Sequence, residues 1–131
     1  METTDPRRPV DLVRIEIEET LVQELGGTGA LAALAEPGVP RSLFAPFYVA
    51  KRSAERTHDR AGHDYVCFGT QGRVVRVCVD PQSGQVVDLV AGRDARYVNG
   101  SVGQFTHTAE AVWRRLPYYD RSVAAFPTVQ W

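Results

Sequence analysis

The sequence predicts an α+β domain, and three stretches predict it. Residues 73–90 read Arg-Val-Val-Arg-Val-Cys-Val-Asp-Pro-Gln-Ser-Gly-Gln-Val-Val-Asp-Leu-Val, two valine-rich runs around a polar break. Residues 101–116 carry one long amphipathic pattern, and residues 18–35 hold two shorter ones. Valine is stiff at its first side-chain torsion and fits a pleated, half-buried surface, so the two runs are strands. The break has turn chemistry in order: Asp80 accepts from turn amides, Pro81 presets the backbone, and Gly84 takes the left-handed conformation that closes a bulged turn. The central hairpin is thus at about 73–90, with short helices before it and the long helix after it.

The elements follow in order. Residues 1–9 are polar, with Pro6 and Pro9, and read as a frayed leader to a single domain over 1–131. Val13, Ile15 and Ile17 alternate with Arg14, Glu16 and Glu18, a half-buried strand at about 12–17. Leu21, Val22 and Leu25 continue at helical spacing, giving a helix at 18–25 that ends at Gly26-Gly27. Thr28 caps a second short helix to Ala35, which stops at Pro37-Gly38. Val39-Pro40-Arg41 is extended, because a residue before proline avoids the helical region. Residues 43–50 read as a loop entering a strand. Lys51–Asp64, charged and without periodicity, is expected to be a long loop. Tyr65–Gly69 is a strand that Thr70-Gln71-Gly72 turns into the hairpin, and Arg93–Val98 gives one more.

Ser101 opens the long helix, with Gln104 at capping-box spacing. Val102, Phe105, Ala109, Val112, Trp113 and Leu116 repeat at three and four residues and form its apolar face. Pro117 ends it. Residues 120–131 form an apolar tail with Val123, Phe126, Val129 and Trp131, which is expected to pack on the domain or on a neighbour and is compatible with a homodimer.

Composition narrows the function. The chain has 131 residues, is 44% hydrophobic and 24% charged, and carries a net charge of −1. Such a balance supplies no strong field for nucleic acid or for an anionic membrane. No run approaches the roughly 18 apolar residues of a membrane span, and residues 1–9 lack the apolar segment of a signal peptide. The expected location is the cytoplasm, with Cys67 and Cys78 as reduced, buried thiols.

The residues offer little for catalysis. His58, Asp59 and His63 make a His-Asp-x-x-x-His group, but two histidines and one carboxylate on a loop fall short of a rigid metal site. His107 falls between apolar helix positions and is expected on the exposed side. Ser83 and Ser101 serve as turn and cap, and no Gly-x-Ser-x-Gly occurs. Gly26-Gly27-Thr28-Gly29 lacks the lysine of a phosphate loop. No metal and no cofactor is expected. Glu16, Glu18 and Glu19 read as solvent-facing, and the stretch from Glu16 to Glu24 is a local acidic patch.

With these pieces placed, the chain resembles the fourth group of SUKH immunity proteins, a bacterial family. The residues that carry the resemblance are Gly38-Val39-Pro40 before an apolar segment, the strand Tyr65-Val66-Cys67-Phe68-Gly69-Thr70, the Val77–Val87 hairpin with Cys78, Asp80, Pro81 and Gly84, and Arg96-Tyr97-Val98-Asn99-Gly100-Ser101 opening a helix. The likeness covers about residues 28–119, and the charged stretch 51–64 has no counterpart in it. Gly69, Asp80, Pro81, Gly84, Asn99 and Ser101 are its fold signature. The resemblance implies a bent mixed or antiparallel sheet with packed helices. It also implies a cytoplasmic, non-catalytic protein that neutralises a cognate polymorphic toxin, often a nuclease or nucleic-acid deaminase.

The alternatives are an adaptor in a biosynthetic or regulatory cluster, and a small-ligand or enzymatic domain with a cavity lined by Phe44, Phe47, Tyr97 and Trp113. For a protein partner, the expected contacts are Arg52, Arg56, Asp59 and Arg60 in the charged stretch and Tyr118 and Tyr119 beyond the helix, since Arg and Tyr are enriched at binding hot spots.

Overall fold

A computed structural model describes residues 11–25, 29–43, 48–90 and 92–115, with side chains as far as residue 111. The N-terminal part contains β1 (Leu12–Val13), α1 (Glu19–Leu25), α2 (Ala32–Ala35) and β2 (Val39–Pro40), with β1 antiparallel to β2. The strand expected over 12–17 keeps its alternation: Ile15 is buried, Val13 and Ile17 are half-buried, and Arg14, Glu16 and Glu18 are exposed. Its backbone, however, changes partner along the way. The Ile15 amide donates to the Leu34 carbonyl (3.0 Å), then the Glu16 amide donates to the Arg52 carbonyl (3.0 Å). The groups are satisfied one after another rather than in a single ladder. Only Gly38, at φ +97°, lets β2 come this close, since a Cβ there would lie 2.3 Å from the Val13 carbonyl oxygen. The second helix is shorter than expected, with Leu31 at its N-cap and no side-chain cap. Thr28 lies outside the described residues.

The main sheet has six strands in sequence order: β3 (Ser42–Leu43), β4 (Tyr48–His58), β5 (Asp64–Gln71), β6 (Val75–Val79), β7 (Val86–Leu89) and β8 (Arg96–Asn99). Every neighbouring pair is antiparallel, and a parallel bridge from Glu16 to Ser53 joins the N-terminal segment to β4. The central hairpin stands where expected. Asp80 Oδ1 accepts from the Gln82 amide (2.9 Å), Oδ2 accepts from the Ser83 hydroxyl (3.0 Å), and Gly84 sits at φ +81°.

The charged stretch 51–64 is the main correction. It is not a loop: β4 runs through it to His58, and only residues 59–63 turn into β5. The pattern hid the strand because the ladder slips. From the Ala50–Gly69 pair to the Glu55–Cys67 pair, β4 advances five residues while β5 advances two. Bulges bend strands and reset which side chains face inward. Here the inward positions become Ala54 and Thr57, too small and too polar to read as a strand face.

The sheet buries both faces. On one, Tyr48, Val66, Phe68, Val77, Val79 and Val86 pack with Ile15, Leu21, Leu34 and the third helix, α3 (Val102–Arg115). Phe105 of α3 meets Tyr48 and Phe68 edge-on, with ring centroids 5.5 and 5.7 Å apart. On the other face, Tyr65, Cys67, Cys78, Val87 and Leu89 form a second cluster. The β4–β5 tip is tied across both ends of β7: the Arg60 amide donates to the Arg93 carbonyl (3.1 Å), and His63 Nε2 lies 3.0 Å from Asp80 Oδ1. Arg76 Nη1 also donates to Thr57 Oγ1 at 3.2 Å.

Helix α3 opens on the predicted cap. The Gln104 amide donates to Ser101 Oγ (3.0 Å), while the Gln104 carboxamide reaches back to the Gly100 amide (3.0 Å). Asn99 Nδ2 donates to Thr108 Oγ1 at 3.2 Å. Val102, Phe105 and Ala109 are buried and His107 is exposed. Residues 120–131, Phe44, Phe47 and the side chain of Trp113 lie outside what is described.

Candidate partner-binding groove

The outward bend of β4 leaves a groove between it and α1. One wall carries Glu16, Ile17, Glu18, Thr20, Leu21 and Glu24, and the other carries Ser53, Ala54, Glu55 and Arg56. Its volume is about 800 Å³. The two walls are tied by backbone, where the Ala54 amide donates to the Glu16 carbonyl (2.8 Å), and by side chains, where Ser53 Oγ donates to Glu16 Oε1 (3.4 Å). Leu21 and Ala54 are buried, so the groove has an apolar floor under a charged rim.

The rim is acidic. Four carboxylates, Glu16, Glu18, Glu24 and Glu55, face one guanidinium, Arg56. Arg56 is already committed: its Nη1 meets Glu24 Oε1 at 2.5 Å and its Nη2 meets Asp64 Oδ2 at 2.9 Å. The hydrogen bond and charge of Asp64, with a smaller contribution from Glu24, raise the Arg56 pKa, and the Arg56 bond in turn holds the Asp64 carboxyl below its ordinary range. Lys51 lies 3.4 Å from Glu55. A second hollow of about 510 Å³ shares Glu24 and continues past Asp64 and His63 to Pro81 and Gln82.

The residues expected to meet a partner are therefore divided. Arg56 lines the groove. Arg52 is exposed on β4 and Arg60 is exposed at the hairpin tip, and neither lines the groove. Asp59 braces the tip, with Oδ1 accepting from the Ala61 and His63 amides (3.0 and 2.9 Å) and Oδ2 accepting from the Tyr65 hydroxyl (3.2 Å). Partial desolvation works against the Asp59 carboxylate, yet these three donors hold its pKa below the usual range. Burial and the neighbouring Asp59 charge push Tyr65 up to about 12. Tyr118 and Tyr119 lie outside the described residues. The acidic wall was visible as the Glu16–Glu24 patch. Its opposing wall was not, because no local pattern announces that Ser53 returns to Glu16, 37 residues earlier.

His58, Asp59 and His63 do not converge: His58 is exposed at the end of β4, while Asp59 and His63 are engaged in the tip and with Asp80. Among the described residues no three His, Cys, Asp or Glu side chains are grouped to hold a metal ion. No described helix is long and apolar enough to cross a membrane.

The SUKH-4 immunity protein family model matches residues 12–125. The chain belongs to that family. The matched range reaches further N-terminal than the likeness read from motifs, and it takes in β1, α1 and the whole acidic wall of the groove. No curated protein and no solved structure matches this SUKH-4 chain. The residues named for the resemblance have structural duties in this chain. Asp80 and Gly84 build the central turn, and Asn99 and Ser101 secure α3. Gly69 makes room for the Tyr48 ring, since a Cβ there would lie 2.5 Å from Tyr48 Cε1.

Proposed function

We propose that this chain is a non-catalytic immunity protein that neutralises a cognate polymorphic toxin of the nuclease or deaminase class in the cytoplasm, and that the toxin docks in the α1–β4 groove. The observation that carries the reading is the groove's charge. A chain of net charge −1 places four carboxylates and one guanidinium around one apolar-floored depression. Complementary charge speeds encounter and selects partners, while an apolar floor supplies the area that holds them. Enzymes that act on nucleic acid present cationic surfaces to it, so an acidic groove fits such a toxin and repels its substrate.

The test is co-expression with the toxin domain encoded next to this chain. The wild-type chain is expected to restore growth and to co-purify with the domain, and the pair Glu16→Lys and Glu18→Lys is expected to abolish both. Full rescue by that charge-reversed variant would place the contact elsewhere. Co-purification with a biosynthetic protein, without rescue, would favour the adaptor role.

A further inference from the structure

Cys67 on β5 and Cys78 on β6 are register partners on adjacent antiparallel strands, and both are free, buried thiols. Residues directly opposed in an antiparallel pair have Cα atoms about 4.5–5.5 Å apart, inside the window of about 4.4–6.8 Å that a disulfide spans. Both side chains lie in the second apolar cluster, side by side on one face of the sheet. Cys67 Sγ donates to the Gly69 carbonyl at 3.3 Å. The two thiols are chemically unequal. The Cys78 side chain beside it draws the Cys67 pKa down against burial, with the Gly69 backbone, Lys51 and Arg76 helping, whereas the Cys67 side chain and burial push Cys78 up. A thiol of lowered pKa beside a protonated thiol is the usual pairing of an attacking and a resolving cysteine.

The position of the pair matters. The ladder slips on both sides of Cys67, between Ala50 and Glu55 on β4 and between Cys67 and Gly69 on β5. Cys67 therefore stands at the bend of the hairpin, opposite Glu55 of the groove on one side and Cys78 on the other.

We propose that Cys67 and Cys78 are a redox pair that closes to an intrachain disulfide under a hydroperoxide and so staples the bent β4–β5 hairpin to β6. The Cys67 thiolate attacks one peroxide oxygen. An S–O bond forms, the O–O bond breaks, and the departing oxygen leaves as water (or as an alcohol) after taking a proton. The Cys78 sulfur then attacks the sulfenic sulfur. An S–S bond forms, the S–O bond breaks, and the hydroxide leaves as a second water with the Cys78 proton. Both sulfurs are oxidised and the peroxide oxygens are reduced. Because the thiols are buried, the oxidant reaches them through openings of the hairpin, and closure is as fast as that opening permits.

The folded chain is treated with hydrogen peroxide, denatured, alkylated and weighed. Both thiols are expected to disappear together in a monomeric chain and to return with dithiothreitol. Cys78→Ser is expected to stop at a sulfenic acid on Cys67 that dimedone traps. Amide exchange across residues 55–66 is expected to slow several-fold in the oxidised chain. Full alkylation of both thiols after treatment, or a disulfide between two chains, would overturn the pairing, and unchanged exchange would overturn the staple. If the serine variant does not fold, the wild-type mass and exchange decide alone. Toxin binding enters none of these readouts.

Discussion

Arg56 of β4 and Glu24 of α1 meet at 2.5 Å across the mouth of the groove, and Arg56 reaches Asp64 at 2.9 Å with its other nitrogen. The guanidinium thus joins the helix, the bent strand and the start of β5 into one surface.

Arg56 and Glu24 are exposed and Asp64 is half-buried, and ion pairs open to solvent in this way contribute little to stability. Arg56→Ala is therefore expected to leave the midpoint of a urea unfolding titration nearly unchanged. Its effect on binding should be larger and of opposite sense. Removing the one guanidinium on the rim leaves Glu24 uncompensated, so a cationic partner is expected to associate several-fold faster in stopped-flow mixing. Arg52→Ala and Arg60→Ala, away from the groove, are expected to leave the association rate unchanged.

Tyr48 and Gly69 make a second testable contact. The ring lies where a Gly69 side chain would be, and its hydroxyl is buried without a protein partner among the described residues. Burial also pushes the Tyr48 pKa up. Gly69→Ala forces the ring or β5 to move, and overpacking of this kind costs about 1–3 kcal/mol. Tyr48→Phe removes a polar group whose desolvation nothing offsets, and it is expected to stabilise by about 1 kcal/mol. Thermal or urea denaturation of the two variants should move in opposite directions.

What the sequence made legible was local. The Asp80–Gly84 turn, the Ser101 cap and the Val102–Phe105–Ala109 face each depend on residues within one turn or one helical repeat, and each stands where the pattern put it. The strand β4 does not work that way. Its period is broken between Ala50 and Glu55, its inward residues Ala54 and Thr57 are weakly apolar, and its outer side is set by Glu16 from the far end of the chain. A charged surface on a bent hairpin looks, residue by residue, like a loop. The groove was lost with it, since one wall belongs to that strand.

Acid stability follows from two aspartates. Asp59 and Asp80 each accept three hydrogen bonds or close polar contacts, and both carboxyls are held below their ordinary values even though partial burial opposes this. A depressed folded pKa means that the unfolded chain takes up protons first as pH falls. These groups therefore stabilise the fold fully above the unfolded carboxylate range near pH ~4, and the contribution is lost as pH drops through their folded values. Asp80→Asn is expected to lower stability at pH 7 and to flatten the acid limb of a stability–pH profile. An unchanged limb would show that other carboxylates set it.

Asp88 runs the opposite way. One of its oxygens is buried without a partner among the described residues, the other lies 3.8 Å from Arg96, and burial raises its pKa despite that cation. A raised folded pKa means that the folded chain holds the proton longer, so Asp88 costs stability as pH rises through the unfolded value toward the folded one and continues to do so above it. Its side chain is only 17% exposed, so solvent screens this cost weakly. Asp88→Asn removes the charge while keeping the shape, and it is expected to raise stability at pH 7, because a neutral amide costs less to bury than a carboxylate. The gain should vanish near pH 3, where the wild-type carboxyl is itself neutral. A gain that persisted undiminished at low pH would mean that packing, not charge, was responsible. Asp88 also lines a hollow with Arg93 and Arg96 on the far edge of the sheet, away from the α1–β4 groove. Toxin affinity should therefore be untouched by the substitution, and a measured loss would move the docking site to this edge.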